Sequence, residues 1–169
     1  MDKEQKNLFL KVVEQNEQKL FRICSVYSKN SEDAKDLFQE ILINIWKSIP
    51  SFKSKSSIET WIYRVALNTC LRFRENHIKK RKRFISIENI NTVGLQQPEV
   101  ENNEQKEKLI LLQNCISTLN KADKAIISLY LEKLPYKEIS NITGLSENNI
   151  AVKIKRIKKK LLNCINKIL

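Results

Sequence analysis

The sequence predicts an all-α protein of two small helical domains joined by a flexible linker. Three observations carry that prediction. Apolar residues recur at three- and four-residue spacing in segment after segment, the period of a helix with one buried face. Two glycines and three prolines among 169 residues are too few for a β-rich chain with many tight turns. Between residues 84 and 106 the periodicity fades around Gly94 and Pro98, and Glu99, Glu101 and Glu104 stand against Lys106, a composition that marks a linker. The expected division is a first domain over residues 1–83, a linker over 84–106 and a second domain over 107–169.

Composition narrows the function. A hydrophobic share of 41% is enough for a core. Thirty-one Lys and Arg against nineteen Asp and Glu give a net charge of +12, which favours a polyanionic partner: nucleic acid first, an anionic membrane surface second. No apolar run approaches the roughly 18 residues of a membrane span. The amino-terminal stretch is charged and amphipathic, so it does not read as a signal peptide, and the expected compartment is the cytoplasm. Cys24, Cys70, Cys115 and Cys164 are scattered without a C-x-x-C pair, and His77 is the one histidine. Neither a zinc site nor a disulfide framework is expected, and each cysteine reads as a small buried hydrophobe. With no Gly-rich phosphate loop and no nucleophile beside a base, no catalytic residue, metal, cofactor or small-molecule substrate is expected.

In the first domain, Leu8, Phe9, Val12, Val13, Leu20, Ile23 and Cys24 suggest one or two amphipathic helices. Ser31 then reads as an N-cap, with Glu32 and Asp33 suited to the positive end of the helix dipole. Ala34, Leu37, Phe38, Ile41, Leu42, Ile45, Trp46 and Ile49 keep helical spacing until Pro50 stops them. The opposite face carries Asp33, Asp36, Gln39 and Glu40, an acidic patch in a basic protein. It is either an ordinary solvated face or a dock for a basic partner. A short polar loop leads to residues 57–83, where Ile58, Trp61, Ile62, Val65 and Thr69 mark the expected buried face of a helix. Arg72, Arg74 and the cluster at 79–83 make its second half cationic. Aromatics that can stack on bases and cations that can hold phosphates suit an opened nucleic-acid strand. A core helix with a solvated basic face is the plainer alternative.

In the second domain, Leu109, Leu112, Ile116 and Leu119 predict one helix, and Asn120 or Lys121 starts another through Ala125, Ile126, Leu129 and Tyr130. Pro135 sits where the first turn of a new helix tolerates it. The segment 136–162 is more specific. Small Ser140 permits close helix approach, Gly144 suits a tight turn, and Ser146 caps a second helix that buries Ile150, Ile154, Ile157 and Leu161. This is helix-turn-helix spacing. Asn148, Asn149, Ala151, Val152, Lys153, Lys155 and Arg156 are left exposed, and no acid follows Ala151.

Together these segments resemble a bacterial RNA polymerase sigma factor of the sigma-70 family, in its short extracytoplasmic-function (ECF) group. DAKDLFQEILINIWKSI (33–49) is similar to region 2.2, SIETWIYRVALNTCLRFRE (57–75) to regions 2.3 and 2.4, and LPYKEISNITGLSENNIAVKIKRIKKKL (134–161) to region 4.2. The resemblance implies core RNA polymerase as partner, through the β′ clamp helices and the β flap, together with promoter DNA and an anti-sigma factor. That last partner could hold the protein at the inner membrane. Asp33, Asp36, Gln39 and Glu40 become the polymerase-binding face, with Leu37 and Ile41 as apolar contacts at its rim. Asn68 matches a position that contacts a flipped base of the −10 element. Arg64 and Arg72 would hold phosphates, Lys53 and the loop at 52–57 would shape the base pocket, and Tyr63 would stack while Trp61 stays in the core. The −35 readers would be Asn148, Asn149, Lys153, Lys155 and Arg156. Many relatives carry Arg or Lys followed by Ser where this chain has Ala151 and Val152; contact with thymine methyls is a substitute. The competing readings are a stand-alone helix-turn-helix regulator of duplex operators and, with almost no support, an enzyme.

Overall fold

The computed structural model describes residues 3–83 and 103–168, with side chains left aside at 74–83 and at 103, 104 and 106. Most of the expected linker, residues 84–102, lies outside the described residues, as do the side chains of Arg74 and the basic cluster at 79–83. The chain forms two compact units, Met1–Leu95 and Gln96–Leu169. Every regular element among the described residues is helical, as the fold class predicted.

The first unit is a three-helix bundle of α1 (Lys3–Tyr27), α2 (Ser31–Ser48) and α3 (Ile58–Arg83), in which each helix packs on the other two. A short 3-10 turn at Ile49–Ser51, containing Pro50, separates α2 from the loop before α3. α1 is one continuous helix. α2 is capped by Asn30 rather than by Ser31: its Oδ1 accepts from the Asp33 N–H at 2.7 Å, and Ser31 is the first helical residue. Asn and Ser are near-equal caps, so adjacent candidates are not separable by type alone. Ser57 Oγ accepts from the Thr60 N–H at 3.1 Å and so opens α3. The core joins Leu20, Ile23 and Cys24 of α1 to Leu37, Ile41 and Ile45 of α2 and Ile62, Ala66 and Cys70 of α3. Cys24 and Cys70 are buried free thiols in contact. Burial, then the hydrogen bond with Cys24, push the Cys70 thiol well above the ordinary value of 9.0.

Two polar ties cross this core. Tyr63 Oη donates to Asn16 Oδ1 at 2.9 Å, and Asn16 Nδ2 donates to the Val12 carbonyl at 2.9 Å. Asn44 Nδ2 donates to Thr69 Oγ1 at 3.1 Å. The buried face of α3 is therefore turned from the expected one. It runs through Thr60, Tyr63, Ala66, Leu67 and Cys70 as well as Ile62 and Thr69, because α3 meets two helices at once.

The second unit holds α4 (Asn103–Ser117), α5 (Lys121–Leu131), α6 (Tyr136–Thr143) and α7 (Glu147–Asn166), with α7 packed against the other three. α4 begins inside the stretch expected as linker. Asn120 caps α5, accepting from the Asp123 N–H at 2.8 Å. Pro135 is the N-cap of α6 rather than a first-turn residue, a position that also asks for no helical N–H. Gly144 ends α6 at φ +78°, and its N–H bonds the Ser140 carbonyl at 2.8 Å. A Cβ there would meet nothing within 4 Å, so the turn needs glycine for its backbone and not for space. Ser146 caps α7.

Cys115 and Cys164 form a disulfide between α4 and α7, with Cα atoms 5.9 Å apart and a sequence separation of 49. The expectation of four unpaired buried cysteines is corrected for this pair. Sequence spacing says nothing about which helices will lie side by side, and α7 brings Cys164 back to α4.

Candidate polymerase-docking and DNA-contacting surfaces

The outward face of α2 carries Asp36, Gln39 and Glu40, all exposed, with Asp33 half-buried at its edge. Leu37 and Ile41 are not at its rim. Both are fully buried, pointing into the bundle, so their expected contact role is corrected. The apolar member of this face is Ile43, 50% exposed, three residues beyond Glu40 and seven beyond Asp36. Trp46 lies next along the face at 39% exposure, edge-on to Phe9 of α1 at 4.9 Å. Ile43 was missed because it falls outside the apolar spacing that marked the core stripe of α2. Its helical offset from Asp36 and Glu40 is the signal that marks it as an outlier.

On α3, Arg64, Asn68 and Arg72 are exposed at successive four-residue steps and so form one stripe. The Arg72 Nε donates to the Asn68 carbonyl at 3.3 Å, laying that side chain along the stripe. Trp61, half-exposed, begins the same stripe and packs on Phe52 of the preceding loop with centroids 5.3 Å apart. Tyr63 is on the other side. It is 3% exposed and its hydroxyl is committed to Asn16, so its expected place as an outward stacking aromatic is corrected; the aromatic beside Arg64 is Trp61. Lys53 is exposed in the loop, which bends at Ser54 with φ +53°.

On α7, Asn148, Asn149, Lys155 and Arg156 are exposed, and Val152 stands among them at 49% exposure. Lys153 is turned toward one flank, its Nζ 3.9 Å from Asp123 of α5. Lys160, two turns on, reaches the same carboxylate at 2.6 Å. On the other flank Lys158 donates to Tyr130 Oη at 2.6 Å and lies over the ring, 4.3 Å from its centroid. The hydrogen bond to Tyr130 raises the Lys158 pKa from 10.5, so its charge is secure. α6 and α7, joined through Gly144 and Leu145, make the helix-turn-helix that puts this face outward. Among the described residues no three His, Cys, Asp or Glu side chains cluster as metal ligands. No described helix is long and apolar enough to cross a membrane.

The two units match two family models in order: Sigma-70 region 2 over residues 12–84, and Sigma-70, region 4 over residues 109–161. The chain belongs to the sigma-70 family, in its ECF group. Among curated relatives of this sigma factor is RNA polymerase sigma factor SigV of Bacillus subtilis (strain 168). It is 26% identical over 155 residues, covering 91% of this chain and 89% of the relative. The ECF RNA polymerase sigma factor SigM of the same organism is 27% identical over 150 residues, covering 88% and 89%. Among solved structures, the sigma factor RpoE in complex with the anti-sigma factor NepR from Bartonella quintana shares the fold. Its TM-score is 0.68 at 19% identity, with 98% of each chain covered. The stand-alone regulator reading accounts for the second unit alone. The region 2 match leaves it without support.

Proposed function

We propose that the three exposed faces of this sigma factor divide the work of initiation. As an alternative sigma factor the chain binds core RNA polymerase and directs promoter-specific transcription initiation. In this reading residues 1–83 serve as region 2 and residues 107–169 as region 4, with a linker between. Asp36, Gln39 and Glu40, with Asp33 at the edge, meet basic residues of the β′ clamp helices. Ile43 supplies the apolar contact, since exposed charge pairs add little affinity singly. Asn68 takes the edge of a base flipped from the nontemplate strand through its paired donor and acceptor. Trp61 stacks beside it, and Arg64, Arg72 and Lys53 hold phosphates. Asn148, Asn149, Lys155 and Arg156 face the −35 groove, with Val152 set against thymine methyls and Lys153 at the margin.

The task is binding, with no catalytic step, cofactor or small-molecule substrate. Melting follows from differential affinity: capture of an extruded base offsets an unstacking cost of a few kcal/mol. The protein works in the cytoplasm, and an anti-sigma factor covers it there or at the inner membrane. The RpoE complex with NepR supports that pairing for this fold.

The observation that carries this reading is the exposed stripe of Trp61, Arg64, Asn68 and Arg72 on α3. Reconstitution with core polymerase tests it. The wild-type protein co-elutes with core and directs initiation at a promoter mapped from its own transcripts. Asn68→Ala co-elutes equally and loses promoter opening. Failure of the wild type to co-elute or to initiate overturns the reading.

A further inference from the structure

An α-helix lying in a major groove presents its outward face to base edges and its flanks to the phosphate walls, since the groove is only about 12 Å wide. The outward face of α7 holds Asn148, Val152 and Lys155, and its flank toward Asp123 holds Lys153 and Lys160. Those two lysines are seven residues apart and so stack on one side of the helix. Both are turned onto one carboxylate. Asp123 Oδ2 accepts from Lys160 Nζ at 2.6 Å, and Lys153 Nζ lies 3.9 Å from Oδ1. Asn120 Nδ2 donates to Oδ2 at 3.1 Å, and the Asp123 N–H bonds back to Asn120 Oδ1 at 2.8 Å. The Asp123 side chain is 8% exposed, whereas those of Lys153 and Lys160 are 37% and 56% exposed. A carboxylate fixed by an N-cap pair thus sits between two part-exposed cations at the edge of a DNA-reading helix. The opposite flank is different. Lys158 donates to the Tyr130 hydroxyl, with no carboxylate among the partners described for it, and that hydrogen bond raises its pKa.

We infer that Asp123 is a specificity-determining residue that holds Lys153 and Lys160 off the DNA backbone and so limits sequence-independent binding by α7. The inference rests on the reading of α7 as a DNA-contacting helix. Phosphate contacts supply affinity without sequence information. A recognition helix with both flanks fully cationic would bind every duplex more tightly and discriminate less. Asp123 withdraws one flank from that contact and leaves the polar outward face to decide the target.

The test is the salt dependence of binding by the full-length protein to a mixed-sequence DNA duplex. Each phosphate contact adds about 0.9 to the slope of log K against log salt, which is roughly an eightfold gain in affinity at 0.1 M salt. Asp123→Asn keeps the N-cap partner and removes the charge. Its slope is expected to steepen by one to two contacts, with tighter binding to match. Asp123→Glu keeps the wild-type slope. Adding Lys153→Ala and Lys160→Ala to Asp123→Asn returns the slope to the wild-type value. A slope in Asp123→Asn that is unchanged or shallower overturns the inference, since a purely structural role predicts uniform weakening. Lys155→Ala with Arg156→Ala separates the two levels. If that pair flattens the slope while Asp123→Asn does nothing, α7 binds DNA and the shielding role alone has failed. If that pair changes nothing, the DNA-contacting role of α7 has failed and the inference with it.

Discussion

Tyr63→Phe separates a core role from a DNA role. The substitution keeps the ring and removes one hydroxyl. That hydroxyl donates to Asn16 Oδ1 at 2.9 Å, and Asn16 is 5% exposed. The mutant leaves a buried amide oxygen without this donor, at a cost of about 1–3 kcal/mol. A midpoint of about 2 kcal/mol in a domain of this size lowers the Tm of the first unit by roughly 8–16 °C. Calorimetry on the full-length protein measures it. Single-round transcription per active holoenzyme, run below the lowered Tm, measures the other half. Tyr63→Phe should open promoters as the wild type does, whereas Trp61→Ala should lose opening. A mutant that melts at the wild-type temperature would refute the assignment of Tyr63 to the core. So would loss of opening in Tyr63→Phe with opening retained in Trp61→Ala.

Ile43→Asp should leave stability within about 0.5 kcal/mol, as surface changes do, yet weaken co-elution with core polymerase; Leu37→Ala, by contrast, should destabilise the bundle by about 2–5 kcal/mol. Gly144→Ala should cost the second unit about 1–2 kcal/mol in thermal unfolding, because alanine is strained at φ +78°. Closing a 49-residue loop is worth up to about 4 kcal/mol on the chain-entropy account, so Cys115→Ser or a reductant should lower the Tm of the second unit and leave that of the first alone. In the folded, unreduced protein Cys24 and Cys70 should resist thiol reagents even at mildly alkaline pH, and labelling faster than the protein unfolds would contradict their burial.

Much of the fold was legible because α2 and α7 each bury one stripe, and one stripe is what apolar spacing reports. Ala34, Leu37, Ile41 and Ile45 are buried as that spacing requires, and so are Ile150, Ile154, Ile157 and Leu161. The sharp turn at Gly144 and the cap at Ser146 were legible because few residue types satisfy those positions. α3 was misread for a physical reason. It touches two helices, so small and polar Thr60, Ala66 and Cys70 fill its tightest contacts, while Trp61 is left half outside. Tyr63 looked available because its partner, Asn16, is 47 residues away. The Cys115–Cys164 pair and the hold of Asp123 on Lys153 were hidden likewise, since both are created by how α7 folds back on its own unit.

Val152 stands at the outermost line of α7, half exposed, with Ile150 and Ile154 anchoring the helix from behind. A side chain that supports nothing in the core can be replaced without weakening the protein. If Val152 meets a base as proposed, the preferred promoter letter there is free to drift. A lineage that duplicated this gene could obtain a second regulon by changing that position alone, before any other part of the protein had to follow.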